Sequence, residues 1–460
     1  MLRLARFRSV IARFRDGLPP TTDLNDGGPP GLAARLGLSG LWRHTDFLHF
    51  WAADAVSETG SQITLLALPL LAAVALHASP GQMGLLTAAG TAPSLLFGLI
   101  AGVWVDRLRR RRLMVTADIA RFLILLSIPI VWVFGEMRFD LLYVVTFLNG
   151  TLRVFFNVSY MSYVPDLVGR EHLLEANGKL GSTASLAQVT GPALGGLLVG
   201  LLGAAYAILL DALSFLVSAG FLKRIRKPEA APNAHGEHPS IVRGIGEGLH
   251  LVYRNATLRA LLLSASCTSL AGYIFMAVYI LYMVDDLHLS SGAVGLVFGL
   301  GGLGALIGSL LAAPVARRVG VGPAVIWGRV LFGLCGAPVP LAVLVPSIAL
   351  PMVLAAEFSQ WLMLLIVDVN SMSLRQAITP DRLLGRVNAT STFLVGGAVP
   401  IGSLLGGALG ELIGIKATLV VGIVGFMFAA VWVIFSPLRT LREQPEPVEI
   451  DEPAVVAASV

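Results

Sequence analysis

Asp54, Glu58 and Gln62 recur every four residues within an otherwise apolar run, 47–76. That spacing stacks the three side chains on one face of a helix. Two carboxylates one turn apart repel, and in a medium of low dielectric such a pair is expected to hold a proton. At 1.5 Å per residue from position 47, Asp54 lies ~10 Å and Glu58 ~16 Å along the run, which makes Glu58 the better-placed proton carrier. Arg153, in NGTLRVFFN (149–157), is a cation in a second apolar run. An arginine keeps its proton, so its expected work is to tune Glu58 or Asp54, to bind an anionic substrate, or to form a structural ion pair. Asp118 and Arg121, three apart in a third run, suit a structural pair. Further on, Glu357 and Trp361 share a helix face, and a carboxylate beside an aromatic ring suits a bulky amphipathic cation. Gln62, Tyr273 and Tyr279 complete the candidate cavity lining, although an aromatic run on an apolar helix also serves for packing.

The elements that must hold these side chains follow from composition. Of 460 residues, 55% are hydrophobic and only 13% are charged, about half the charged share of a soluble domain. Uncharged segments of 18 or more residues recur, each long enough to cross a ~30 Å hydrocarbon core as a helix. They lack strand alternation, which excludes a barrel. Twelve spans are expected: 47–76, 82–105, 112–134, 139–164, 178–201 and 203–222, then 258–284, 291–314, 322–346, 348–374, 388–412 and 414–436. The fold class is therefore an all-α polytopic membrane protein. Within it, each charge near the bilayer centre costs at least ~2.5–3.5 kcal/mol and needs an explanation.

Other chemistry is excluded by what the chain lacks. Cys267 and Cys335 both fall inside spans, so neither a disulfide nor a metal is expected. There is no H-E-x-x-H in the spans and no G-x-x-x-x-G-K-[ST] loop, so neither a metalloenzyme nor an ATP-driven pump is expected, and no cofactor. Residues 1–15 contain no long apolar core and read as a basic surface segment or tail rather than a signal peptide.

Positive charge sets the orientation. Among the 33 Lys and Arg, only Arg138 and Lys416 fall on the side opposite the termini, with Arg121 and Arg153 inside spans. The positive-inside rule then places both termini in the cytoplasm. The net charge of +5 is a topology signal, and no nucleic-acid partner is expected. The densest cluster, GVWVDRLRRRR (102–112), closes the second span.

The expected organisation is a basic segment 1–45, a six-helix bundle 46–222, a linker 223–257, a second bundle 258–436 and an acidic tail 437–460. The linker is polar and proline-rich at its start and then turns amphipathic over 241–255. The two bundles echo each other: PDLVGREHLLEANG (165–178) leads into GPALGG (191–196), as PDRLLGRVNA (380–389) leads into VPIGSLLGG (399–407). That is the mark of an internal duplication.

With these motifs in this order, the chain resembles the major facilitator superfamily, and most of all its bacterial branch of macrolide and siderophore (enterobactin-type) exporters. The likeness spans about residues 45–436. It rests on the loop Gly102, Asp106, Arg107, Arg110 and Arg111, where Arg109 stands in place of the family's second glycine. It rests also on Gly191, Pro192, Gly195 and Gly196 of the exporter-type fifth helix, and on DALSFLVSA (211–219) with the EANG and GRVNA loops. The resemblance implies a twelve-helix, two-bundle fold working by alternating access. It implies that Asp106 sits at a helix end of the opposite bundle as a latch of the outward-open state, with the arginines adding bonds. It implies that the fifth-helix motif seals the resting pathway, and that Asp211 packs or caps at the start of the sixth span. The function expected is proton-driven export of a small amphipathic drug, siderophore or metabolite by a monomer in the bacterial inner membrane, among membrane lipids. A lipid or lysolipid flippase, or an uncoupled facilitator, is the alternative.

Overall fold

The computed structural model describes residues 40–105, 107–229 and 241–442. Asp106, the basic segment up to residue 39, most of the polar linker and the acidic tail from 443 lie outside the described residues. Twelve long helices and one linker helix carry the chain. They are α1 (Thr45–Leu70), α2 (Pro80–Val105), α3 (Arg110–Val133), α4 (Phe139–Val168), α5 (Leu173–Leu202), α6 (Ala204–Arg224), the linker helix α7 (Ile241–Arg254), α8 (Ala256–Leu281), α9 (Ser291–Val319), α10 (Val321–Gly336), α11 (Ala349–Ile378), α12 (Asp381–Ile413) and α13 (Ile415–Ile434). Among the described residues, eleven are long and apolar enough to cross a membrane. The remaining long helix, α2, has 26 residues and is likewise rich in apolar side chains.

Local chemistry explains the breaks. Asn255 caps α8 by accepting from the backbone N–H of Thr257 and Leu258 at 3.0 and 3.1 Å, which satisfies two orphan donors of the first turn. Gly203 and Gly414 stand between consecutive helices at φ 88° and 86°, a region open to glycine and closed to most side chains. The span expected at 322–346 stops being α-helical at Gly336 and continues as short 3-10 turns over Val339–Leu344 and Pro346–Ile348. Pro338, Pro340 and Pro346 lack the N–H groups that an α-helix would need there.

Two bundles of six result, and they repeat each other. In the first, α1 packs on α5 and α6, α3 on α4 and α6, and α2 on α4. In the second, α8 packs on α12 and α13, α10 on α11 and α13, and α9 on α11. The repetition reaches single residues. The π-turns Leu71–Ala75 and Tyr282–Asp286 follow α1 and α8, and His77 and His288 close them at φ 49° and 51°. These pairs, like Gly203 and Gly414, are separated by one constant sequence interval. Linker helix α7 lies against α12 and α8.

The bundles meet along two seams, α5 with α9 and α2 with α12. At the face away from the termini the contact is backbone to backbone. A β-carbon on Gly295 would lie 2.7 Å from both Gly196 Cα and the Pro192 carbonyl oxygen, and one on Gly84 would lie 2.8 Å from Gly407 Cα. Toward the opposite face, where the described chain begins and ends, Gly98 and Gly102 of α2 and Gly178 and Gly181 of α5 would each accept a β-carbon with no contact within 4 Å. Backbone-to-backbone contact between the bundles at these glycines thus lies in the far half of each seam.

Candidate functional site

A cavity of about 300 Å³ opens in the first bundle, lined by α1, α3, α4 and α5. From α1 come Asp54, Ser57, Glu58 and Ser61; from α3, Arg121; from α4, Arg153, Phe156, Asn157 and Tyr160; and from α5, Asn177, Leu180, Gly181 and Ala184. Helical periodicity explains the α1 contribution, since Asp54, Ser57, Glu58 and Ser61 are three or four apart. Gln62 is buried just behind, and its Nε2 donates to Glu58 Oε1 at 2.8 Å. Tyr160 faces Asp54 within hydrogen-bonding reach. The wall therefore carries two carboxylates and two guanidinium groups beside an aromatic surface.

Arg153 is exposed into this space. Among the described residues it makes no salt bridge, so the ion pair considered with Glu58 or Asp54 is not formed in this conformation. Tyr273 is on α8 of the other bundle and is half-buried.

Below the cavity the polar residues of α3 and α6 are sealed in. Arg121 is 4% exposed, and its Nε donates to Asn149 Oδ1 at 3.0 Å and its Nη2 to Ser61 Oγ at 3.3 Å. Its guanidinium carbon lies 3.7 Å from the centroid of Phe215, a geometry that stabilises a cation. Asp118 does not form the expected salt bridge with Arg121; it accepts from Ser218 Oγ at 2.6 Å instead. Asp211 is not at a helix start. It lies well inside α6, accepts from Ser214 Oγ at 3.1 Å and packs against Gly60 of α1. Sequence separation misled for Arg121 and Asp118, because their partners sit on other helices.

The exporter-type motif faces two ways. Gly191 and Gly195 press α5 onto α1 at Gln62 and Ile63, with a β-carbon on Gly195 falling 3.2 Å from Ile63 Cα. Gly196 and the Pro192 carbonyl face α9 at Gly295. One short motif thus touches both the helix of Glu58 and the far-face seam. Its second copy was visible only as VPIGSLLGG: Gly402 and Gly406 press α12 onto Tyr273 and Ile274 of α8, and Gly407 meets Gly84 of α2.

In the second bundle, Glu357 is 4% exposed and Tyr279 is fully buried. Tyr279 donates to Glu357 Oε2 at 3.0 Å and Trp361 Nε1 to Oε1 at 2.8 Å. Glu357 and Tyr279 therefore form an internal cluster against Gly301 of α9, where the sequence suggested an open cavity wall. Two neutral donors already occupy the carboxylate.

Arg110 pairs with Asp166 at the end of α4, and Arg111 donates to the carbonyl of Ile225 after α6, while the backbone N–H groups of both face Glu229. These described bonds stay within the first bundle and the linker that follows it. Arg107 is exposed, and Asp106 lies outside the described residues.

The family profile described as transmembrane secretion effector matches residues 38–459. The chain is 28% identical over 413 residues to the multidrug efflux pump Tap of Mycobacterium tuberculosis, covering 87% of this chain and 96% of that protein. It is 25% identical over 420 residues to the enterobactin exporter EntS of Escherichia coli, covering 89% and 96%. A bacterial homologue of the iron transporter ferroportin shares the fold at 17% identity. Its inward-facing structure superposes with TM-score 0.68 over 86% of this chain and 99% of that one. Its outward-facing structure superposes with TM-score 0.54 over 85% and 98%.

Proposed function

The chain belongs to the transmembrane secretion effector family of major facilitator transporters, and on that premise we propose that it is a proton-coupled exporter of small amphipathic compounds. Candidate substrates are a drug, a siderophore or a related metabolite. The observation that carries this reading is the cavity in which Asp54, Glu58, Arg121 and Arg153 converge from three helices of the first bundle. A transporter needs no catalytic group there, only a site whose occupancy by substrate and by protons is mutually exclusive.

Glu58 is the coupling residue in this account, aided by Asp54. A protonated Glu58 is neutral and costs little to hold beneath a closed gate. Release of the proton to the cytoplasm leaves a carboxylate that recruits the basic part of a substrate. Arg153 adds a site for an anionic part. Trp361, Tyr273 and Gln62 are the aromatic and polar contacts proposed for the substrate, and Glu357 with Tyr279 joins them only when the far-face seams open. The mutual packing of Gln62 and Gly191 supports a mechanical link from Glu58 to the seam. The Gly191, Pro192, Gly195 and Gly196 motif would then favour the resting, sealed state. Gly102, Asp106, Arg107, Arg110 and Arg111 form the proposed latch of the opposite state, in which the terminal faces come together.

Both termini are cytoplasmic in this reading, by the distribution of Lys and Arg, and the protein works as a monomer in the bacterial inner membrane. The test is transport in everted membrane vesicles with a macrolide, a lipophilic cation and a catecholate siderophore. Wild type should accumulate one of them when a pH gradient is imposed, and Glu58→Gln should lose that response by about tenfold or more while still binding the compound. Equal accumulation by both proteins would remove Glu58 from the mechanism.

A further inference from the structure

Behind the cavity, α3 and α6 hold two carboxylates that the exporter reading leaves unused. Asp118 is fully buried and Asp211 is 1% exposed. Each has one oxygen engaged by a serine, Ser218 for Asp118 and Ser214 for Asp211. Asp118 Oδ1 is buried without a hydrogen-bond partner, and Asp211 Oδ2 and the hydroxyl of Thr64 on α1, which face one another, are buried without a well-formed bond. One orphaned and one poorly satisfied buried oxygen on two neighbouring carboxylates are uncommon and mark something the protein atoms alone do not supply.

Charge balance says what that is. Arg121 is the cation that faces both aspartates. The further charges felt by this cluster are Glu58 of α1, which worsens the negative excess, and Arg153 of α4, which faces Arg121. One guanidinium against two carboxylates leaves a single negative charge uncompensated in the bundle interior, where an unpaired ion is strongly disfavoured. A single proton cures both defects: it cancels the excess charge and turns one orphaned acceptor into a donor.

We propose that Asp118 and Asp211 form a second proton-binding site that carries one exchangeable proton, linked to the cavity through Arg121. The link is geometric. Arg121 lines the cavity with Glu58 while its guanidinium bonds Ser61 and Asn149. When Glu58 is ionised it draws on the same guanidinium, and the aspartates keep their proton. When Glu58 is neutral or covered by a cationic substrate, Arg121 serves the aspartates more fully, so their one proton is held less tightly and exchanges more readily with the cavity. The oxygen set of Thr64, Ser214, Ser218 and the two aspartates could also suit a sodium ion, but the adjacent guanidinium disfavours a metal cation and leaves the proton as the better occupant. The site rests on the proton-coupled reading only for its part in transport; its occupancy is measured separately.

The experiment is infrared spectroscopy of the full-length protein in lipid, with aspartate carboxyls isotopically labelled, across pH. At neutral pH the wild type is expected to show a protonated aspartate band with a component that persists in Asp54→Asn, and Asp118→Asn or Asp211→Asn should abolish that component, because Arg121 then balances the single remaining carboxylate. Arg121→Gln should do the opposite and roughly double the band, since both aspartates must then be protonated; this arm does not depend on either asparagine variant folding. A wild type with no such band, or a band unchanged in all three variants, overturns the proposal. So does loss of the band on adding sodium at fixed pH, which would make this a sodium site. A band present in a wild type that moves substrate without protons would leave this site standing and sink the exporter reading instead.

Discussion

Gly196 of α5 and Gly295 of α9 touch through their backbones: a β-carbon on Gly196 would lie 2.6 Å from Gly295 Cα. Neither helix can yield by turning a side chain, so this contact holds the far-face seam closed only while both positions are glycine. Gly196→Ala should therefore depopulate the conformation described here in favour of one with the far face parted, by about tenfold or more, equivalent to ~1.4 kcal/mol. Spin labels at the exposed far-face positions Phe134 and Leu412, one in each bundle, would report it as a longer inter-label distance. An unchanged distance distribution would mean that the seam is not what holds the bundles.

Glu411 of α12 reaches the other seam. Its carboxylate accepts from Ser79 Oγ and from the backbone N–H of Gly81 in the first turn of α2. An anion at a helix N-terminus is favourable, although solvent weakens the effect at an exposed site. Glu411→Gln should move the same inter-label distance in the same direction as Gly196→Ala but less far, about threefold in population. Ser79→Ala should do less again. High salt should blunt the difference between wild type and Glu411→Gln.

Glu357 predicts a stability effect. Tyr279→Phe removes one of two donors to a buried carboxylate without changing the packing much. Loss of a hydrogen bond to a buried charged or polar partner costs ~1–3 kcal/mol, so the detergent-solubilised variant should melt several degrees below wild type. Glu357→Gln keeps an acceptor for one donor and should melt closer to wild type. If both variants melt like wild type, the cluster is not intact in the membrane protein.

Arg121 should not tolerate lysine. The guanidinium bonds Asn149 and Ser61 while lying over Phe215, and a lysine ammonium cannot reproduce two directed bonds and a stacked plane together. Arg121→Lys should reduce transport at least about tenfold at normal membrane abundance. Transport equal to wild type would show that charge alone suffices.

Much of this was legible in the residues and some was not. Hydropathy located the long helices because a helix in lipid must satisfy its own backbone, leaving an unmistakable apolar run. The helical stretches GPALGG and VPIGSLLGG announced the repeat, but not that Gly196 and Gly407 face the opposite bundle while Gly195 and Gly406 face their own. That distinction depends on helix rotation, which small residues on all sides of α5 and α12 leave undefined. Arg121 was visible as a charge in a span, yet its spacing from Asp118 suggested a local pair. The true partners, Asn149, Ser61 and Ser218, come from three other helices, and no spacing rule reaches across them. Glu357 and Trp361 were placed on one face correctly as bonded neighbours, but burial by α8 and α9 hides Glu357 from open space.

The most direct test of the account is simultaneous recording of proton and substrate flux by purified wild-type protein in proteoliposomes. With a transported compound supplied on the side of the termini, the account predicts that each substrate movement outward is matched by protons moving inward. It predicts also that an imposed pH gradient drives accumulation against the substrate gradient. Substrate movement with no proton flux, and no accumulation on a pH gradient, would contradict it and leave a facilitator or flippase built on the same fold.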